Sequence, residues 1–170
     1  INNHASKNVQ RKEDQNKHDN DSEDELTSVR FTEKRAGVPY QKTKTRCNRK
    51  MVMETNKVYE LAGVISSIVE DEGPIINDML LDRIRELTKV GRVGSNIQNN
   101  FDRAIKIAIG NKEIEKSKSK EDKCFLFNPN KKYTNFRTPG DCVERQLNQI
   151  SSIEIKNAIN YLIKNQFGLA

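Results

Sequence analysis

The stretch VYELAGVISSIVEDEGPIINDMLLDRIRELTKVGRVGSNIQNNFDRAIKIAIG, residues 58–110, decides how the fold is read. Val58, Leu61, Ile65 and Ile68, with Ala62 and Val69 beside them, recur at the spacing that lines one face of a helix. Glu72-Gly73-Pro74 ends that helix: Gly73 offers a left-handed cap, and Pro74 cannot continue the hydrogen-bond ladder. Gly73–Ile76 then reads as a short extended piece. Asn77 is the expected N-cap of a second helix, whose stripe is Leu80, Ile84 and Leu87. Lys89–Gly94 is a glycine-punctuated turn, and Ser95 or Asn96 caps a third helix with Ile97, Phe101, Ala104, Ile105 and Ala108 on one face.

Two strand-like runs follow, 111–116 and 123–128 (KCFLFN), on either side of the charged turn 117–122. Helix, strand, helix, turn, helix and two-stranded wing is the order of a winged helix-turn-helix. The expected fold class is therefore mainly α with a small β-hairpin, a winged-helix-like domain over residues 58–128. Residues 1–57 show no periodic apolar pattern and read as a disordered or linker arm. Residues 129–150, with Pro129 and Pro139, form a polar connector. Residues 151–170 begin with the capping-box spacing Ser151-Ser152-Ile153-Glu154 and carry the stripe Ile155, Ala158, Ile159 and Leu162. This last helix repeats the outline of 58–75, so a second similar unit is expected to start there.

Composition excludes several function classes. No window approaches the ~18 consecutive apolar residues of a membrane span. The first fifteen residues are polar throughout, so no secretory signal is read and a cytoplasmic location is expected. A start at Ile1 instead of Met leads to the expectation of a fragment of a longer protein. Cys47, Cys124 and Cys142 are far apart, and the two histidines, His4 and His18, lie in the most polar stretch, so neither a zinc site nor a Cys/His catalytic pair is expected. Gly91 and Gly94 lack the GxxxxGK[ST] pattern of a phosphate loop. No cofactor, metal, small-molecule ligand or catalytic residue is expected, and the chain reads as no enzyme by itself.

Charge distribution separates the halves of the domain. Residues 58–88 hold two bases against seven acids, a balance of −5, while residues 89–123 hold nine bases against five acids, a balance of +4. The positive half is the third helix and the wing, the parts a winged helix presents to a duplex, and phosphate attraction drives most non-specific binding. Opposite the core stripe of the third helix lie Asn99, Arg103 and Lys106. Asn and Arg suit base edges, and Lys suits phosphate. Arg92, Ser95, Asn96 and Gln98 stand near the helix start, where free amide donors favour a phosphate. Lys116, Lys118 and Lys120 supply the wing. Asp102 shares the exposed side and opposes the reading. A second basic band, 42–50 (KTKTRCNRK), holds five bases, and solvated linker is the better reading of it.

IVEDEGPIINDMLLDRI (68–84), VGRVGSNIQNNFDRAI (90–105), FLFNP (125–129), FRTP (136–139) and IEI (153–155) together resemble a domain of uncharacterised function. That domain is found near the C-terminus of large bacterial superfamily-one helicase-like proteins, often beside a restriction-endonuclease-like domain. The resemblance covers about residues 58–170. It implies a helicase accessory role in DNA repair, restriction or phage defence, with the helicase core of the parent protein as partner, and it supplies no active site. The leading expectation is DNA binding, to a duplex, through the third helix and the basic wing. The alternative is a protein-interaction module that docks on the helicase core or another partner.

Overall fold

The computed structural model describes residues 37–166, apart from 121, 123 and 142. Its elements are a strand Val38–Pro39 (β1), a short helix Arg49–Met53 (α1), a 3-10 turn Thr55–Lys57 and the helix Val58–Glu72 (α2). Ile75–Ile76 (β2), Asn77–Thr88 (α3) and Ser95–Gly110 (α4) follow, then Glu115–Lys116 (β3) and Phe125–Phe127 (β4). Arg137–Thr138 (β5), a 3-10 turn Leu147–Gln149 and Ser152–Gln166 (α5) complete it. The described part is thus mainly helical with a small antiparallel sheet.

The three periodic stripes form the core as their spacing requires. Leu61, Ile65 and Ile68 of α2, Leu80 and Ile84 of α3, and Phe101, Ala104 and Ala108 of α4 are all buried together. The sheet runs in the order β2-β4-β3, antiparallel throughout, with Ile75 opposite Leu126 and Lys116 opposite Leu126 on the other side. β4 is the central strand, which explains why Phe125, Leu126 and Phe127 are all buried instead of alternating. Leu126 joins the helical core, while the ring of Tyr133 covers Phe127 edge-on at 5.7 Å.

Several expectations need correction. The arm expected over 1–57 holds elements from residue 38 onward, with Tyr40, Thr43 and Val52 buried; residues 1–36, including His4 and His18, lie outside the described residues. Its burial rests on distant partners, which a local apolar pattern does not reveal. Gly73 is no left-handed cap, since its backbone is extended (φ −68, ψ 154). Glycine is required there by close approach: a Cβ would stand 2.4 Å from the Val69 carbonyl oxygen and 3.1 Å from the Tyr133 hydroxyl. The left-handed position falls instead on Lys89, which ends α3 (φ 54). Neither Asn77 nor Ser95 caps a helix. Each is the first helical residue, behind Ile76 and Gly94, which offer no side-chain cap.

The connector and α5 are fastened to the domain by buried charge. Glu154, 2% exposed, receives Arg137 through Nε at 3.0 Å and Arg145 through both guanidinium nitrogens at 2.8 and 2.9 Å. Both guanidiniums lie 5.0 Å from the centroid of the Tyr40 ring. The Tyr40 hydroxyl donates to Glu72 Oε2 at 2.7 Å, and Glu72 also accepts from the Thr43 amide at 2.9 Å and from Arg83 Nε. Parallel pairing of β1 with β5 runs alongside, Val38 opposite Arg137. Only half of the expected capping box forms: the Glu154 amide donates to Ser151 Oγ at 3.4 Å, but the Glu154 carboxylate is committed to the arginines. Asp122 accepts from the Ser152 amide at 3.0 Å and so holds the start of α5. Beyond this anchorage Ile159, Leu162 and Ile163 remain exposed on α5.

Two outcomes follow for stability. Gly73→Ala is expected to destabilise the chain by about 2 kcal/mol or more, because the new methyl meets backbone. Gly91→Ala, with nothing within 4 Å of its Cβ, should stay within about 0.5 kcal/mol; urea denaturation of both variants checks the contrast. Burial pushes the Glu154 carboxyl up, but hydrogen bonds and charge from Arg137 and Arg145 outweigh it and hold the group below its ordinary value. A depressed carboxyl stabilises the fold above the usual carboxylate range, and that contribution is lost as pH falls through the folded value. Glu154→Gln should therefore flatten the acid limb of the stability–pH curve; an unchanged limb contradicts the assignment.

Candidate nucleic-acid interface

α4 positions the candidate side chains because its other face is committed to the core. With Ile97, Phe101, Ala104 and Ala108 turned inward, helical geometry turns Ser95, Asn99, Arg103 and Lys106 outward, and all four are exposed. The turn before α4 is tied down by Arg85, which donates to the Gly91 carbonyl at 2.8 Å, and by burial of Val90. Arg92 stands exposed in that turn. Lys116, Lys118 and Lys120 are exposed on β3 and on the loop that follows it.

Asn96, Asn99, Arg103 and Lys106 line one groove of about 410 Å³, shared with Thr55, Asn100 and Asp102. Arg92, Ser95 and the hairpin lysines are not part of that groove. Asn96 also has a structural task that its position in the sequence did not reveal. Its side-chain amide donates to the Met53 carbonyl at 2.9 Å. Gln98 donates to Asp102 at 3.0 Å, which occupies part of the one acidic group on this face.

Sequence reasoning missed Asn100, and it missed the segment it holds. Asn100 is 1% exposed, and its side-chain amide donates to the Val52 carbonyl at 3.0 Å. The signal was present, since position 100 falls on the core side of α4 between Ile97 and Ala104. A polar residue there needs a buried partner. That partner is the strap formed by residues 42–55, which crosses from α3 to α4. Lys42 pairs with Glu86 at 3.2 Å, Met51 packs against the core, and Val52 and Met53 meet Asn100 and Asn96.

The pairing of charges sharpens the polarity read from the sequence. On the acidic half, Arg83 pairs with Glu72 and Arg85 with Asp82, and Lys57 pairs with Glu60. Among the described residues, no salt bridge involves Arg92, Arg103, Lys106, Lys116, Lys118 or Lys120. Six cations without an ion pair therefore lie on α4, on the turn before it and on the hairpin, although cations elsewhere in the described chain are unpaired as well. Burial pushes the Cys47 thiol up to about 11, so it is protonated near neutrality, and Cys142 lies outside the described residues. Among the described residues no group of three or more His, Cys, Asp or Glu side chains is placed to hold a metal, and no helix is long and apolar enough to cross a membrane.

Residues 52–99 match a family described as "Protein of unknown function (DUF3320)". The matched span runs from the end of the strap through α2, β2 and α3 into the first turns of α4. It includes Arg92, Ser95, Asn96 and Asn99, and excludes the hairpin and α5. No curated protein and no solved structure matches the chain.

The double role of α4 has a measurable signature. Asn100→Ala leaves the Val52 carbonyl buried without its donor and should destabilise the chain by about 1–3 kcal/mol. Asn99→Ala, one residue away and exposed, should change stability by less than about 0.5 kcal/mol. Hydrogen exchange over residues 49–55 is expected to quicken in the first variant alone.

Proposed function

We propose that the chain is a winged-helix DNA-binding module, an accessory to a helicase-like protein, which meets a duplex through α4 and the basic hairpin. The observation that carries the reading is the sorting of charge. The two bases of α3, Arg83 and Arg85, are neutralised by neighbouring acids, while no ion pair engages Arg103 and Lys106 of α4 or Lys116, Lys118 and Lys120 of the hairpin among the described residues. Unpaired cations attract phosphate, and the exposed Asn99 and Arg103 side chains of α4 suit base edges. The order helix, strand, helix, helix, hairpin, with β2 paired to the last strand of the hairpin, supports the winged-helix assignment. The helicase context, the role in repair or defence and a cytoplasmic location rest on the resemblance and on composition alone.

A second reading has its own observation. α5 leaves Ile159, Leu162 and Ile163 at 50, 42 and 38% exposure, an apolar face suited to docking on protein, such as the helicase core of a parent chain. A low-salt gel shift separates the two readings. Under the DNA-binding reading, Arg103→Glu combined with Lys118→Glu weakens duplex binding at least about tenfold. Unchanged affinity in that double variant defeats it, and absence of any shift with co-purification of a helicase core supports the second.

A further inference from the structure

We infer that the strap carries a second phosphate-binding strip, formed by Lys44, Arg46, Arg49 and Lys50, that lengthens the nucleic-acid interface beside the N-terminal half of α4. The inference rests on the reading of α4 and the hairpin as DNA-binding and adds a further stretch of the same duplex to that interface. All four side chains are exposed, and among the described residues none is in a salt bridge. No acid interrupts residues 42–53. Lys42, the remaining base of the band, is engaged by Glu86 and takes no part.

A solvated linker run would carry the same charge, but its backbone would not be held. This one is pinned at both ends and in the middle. The Thr43 amide donates to buried Glu72 at 2.9 Å, and Asn48 Oδ1 caps α1 by accepting from the Met51 amide at 3.1 Å. Val52 and Met53 are held by Asn100 and Asn96. The cations thus project from a fixed backbone, so binding orders side chains only, which reduces its entropic penalty. Position completes the case. The strap ends at Thr55, which forms a wall of the groove that contains Asn99, Arg103 and Lys106, so the segment that bears the strip leads to the α4 face. An anionic membrane would also attract four cations, but the strip adjoins asparagine and arginine side chains suited to nucleic acid.

Counterion release gives the test. Binding of the full chain to a short duplex is measured by fluorescence anisotropy from about 50 to about 200 mM salt. Arg46→Gln, Arg49→Gln and Lys50→Gln combined should lower the slope of log K against log salt by about 0.9 for each phosphate left unneutralised, so by about 2–3. A control with the same reduction of charge, Lys132→Gln, Lys156→Gln and Lys164→Gln, should keep the slope of the unmodified chain. Thermal unfolding of the strap variant should match that chain, since the replaced side chains are exposed. Equal slopes in strap variant and control overturn the inference. So does an unchanged strap variant when Arg103→Glu abolishes binding, an outcome that leaves the α4 reading standing. No binding by the unmodified chain overturns both, and binding to anionic vesicles without binding to duplex replaces the duplex by a membrane surface.

Discussion

A carboxylate with no access to water must be matched, and Glu154 is matched twice. Arg137 and Arg145 reach it from the connector, and the same two guanidiniums lie against Tyr40, whose hydroxyl leads to Glu72 and on to Arg83. Three stretches distant in sequence thereby share one buried network. Removing one partner from such a network leaves an uncompensated charge, typically at about 3–5 kcal/mol, so its parts stand or fall together. The strap, the connector and the start of α5 are consequently integral to the helical domain. The start of α5 is anchored on the helical domain that precedes it.

The helices were legible because burial repeats locally. The stripes of α2, α3 and α4 each place an apolar residue every three or four positions, and all three proved to be core. The hairpin was legible in type, although its strands are shorter than the strand-like runs 111–116 and 123–128 and Phe125–Phe127 is buried throughout. What escaped was long-range. Tyr40 looks like a lone aromatic in a polar arm until Arg137 and Arg145 are brought to it. Gly73 announces a helix end, but its reason for being glycine is the approach of Val69 and Tyr133, which no local pattern encodes. On the candidate site, outward-facing Asn99, Arg103 and Lys106 followed from the wheel. Asn100, and the bond of Asn96 to Met53, were missed because their partners belong to the strap.

Charge sorting has a simple physical origin. A base beside an acid on the same helix, such as Arg85 three residues after Asp82, finds its partner without any further ordering of the backbone. α4 offers Arg103 only Asp102, its immediate neighbour on the chain, which is bonded to Gln98. A residual field therefore survives over α4 and the strap, and fields of this kind steer polyanions from a distance and weaken with salt.

The pairing of β1 with β5 also sets an order of assembly. Val38 meets Arg137 across 99 residues (137 minus 38), and Tyr40 waits for arginines equally remote. Closing so long a loop costs entropy before any pairing offsets it, so local helices form ahead of it. On a ribosome, Val38 and Tyr40 emerge early and then lack Arg137 and Arg145 until synthesis passes residue 145. Strand β1 and Tyr40 are thus among the first parts of the described chain to be made and the last to be secured.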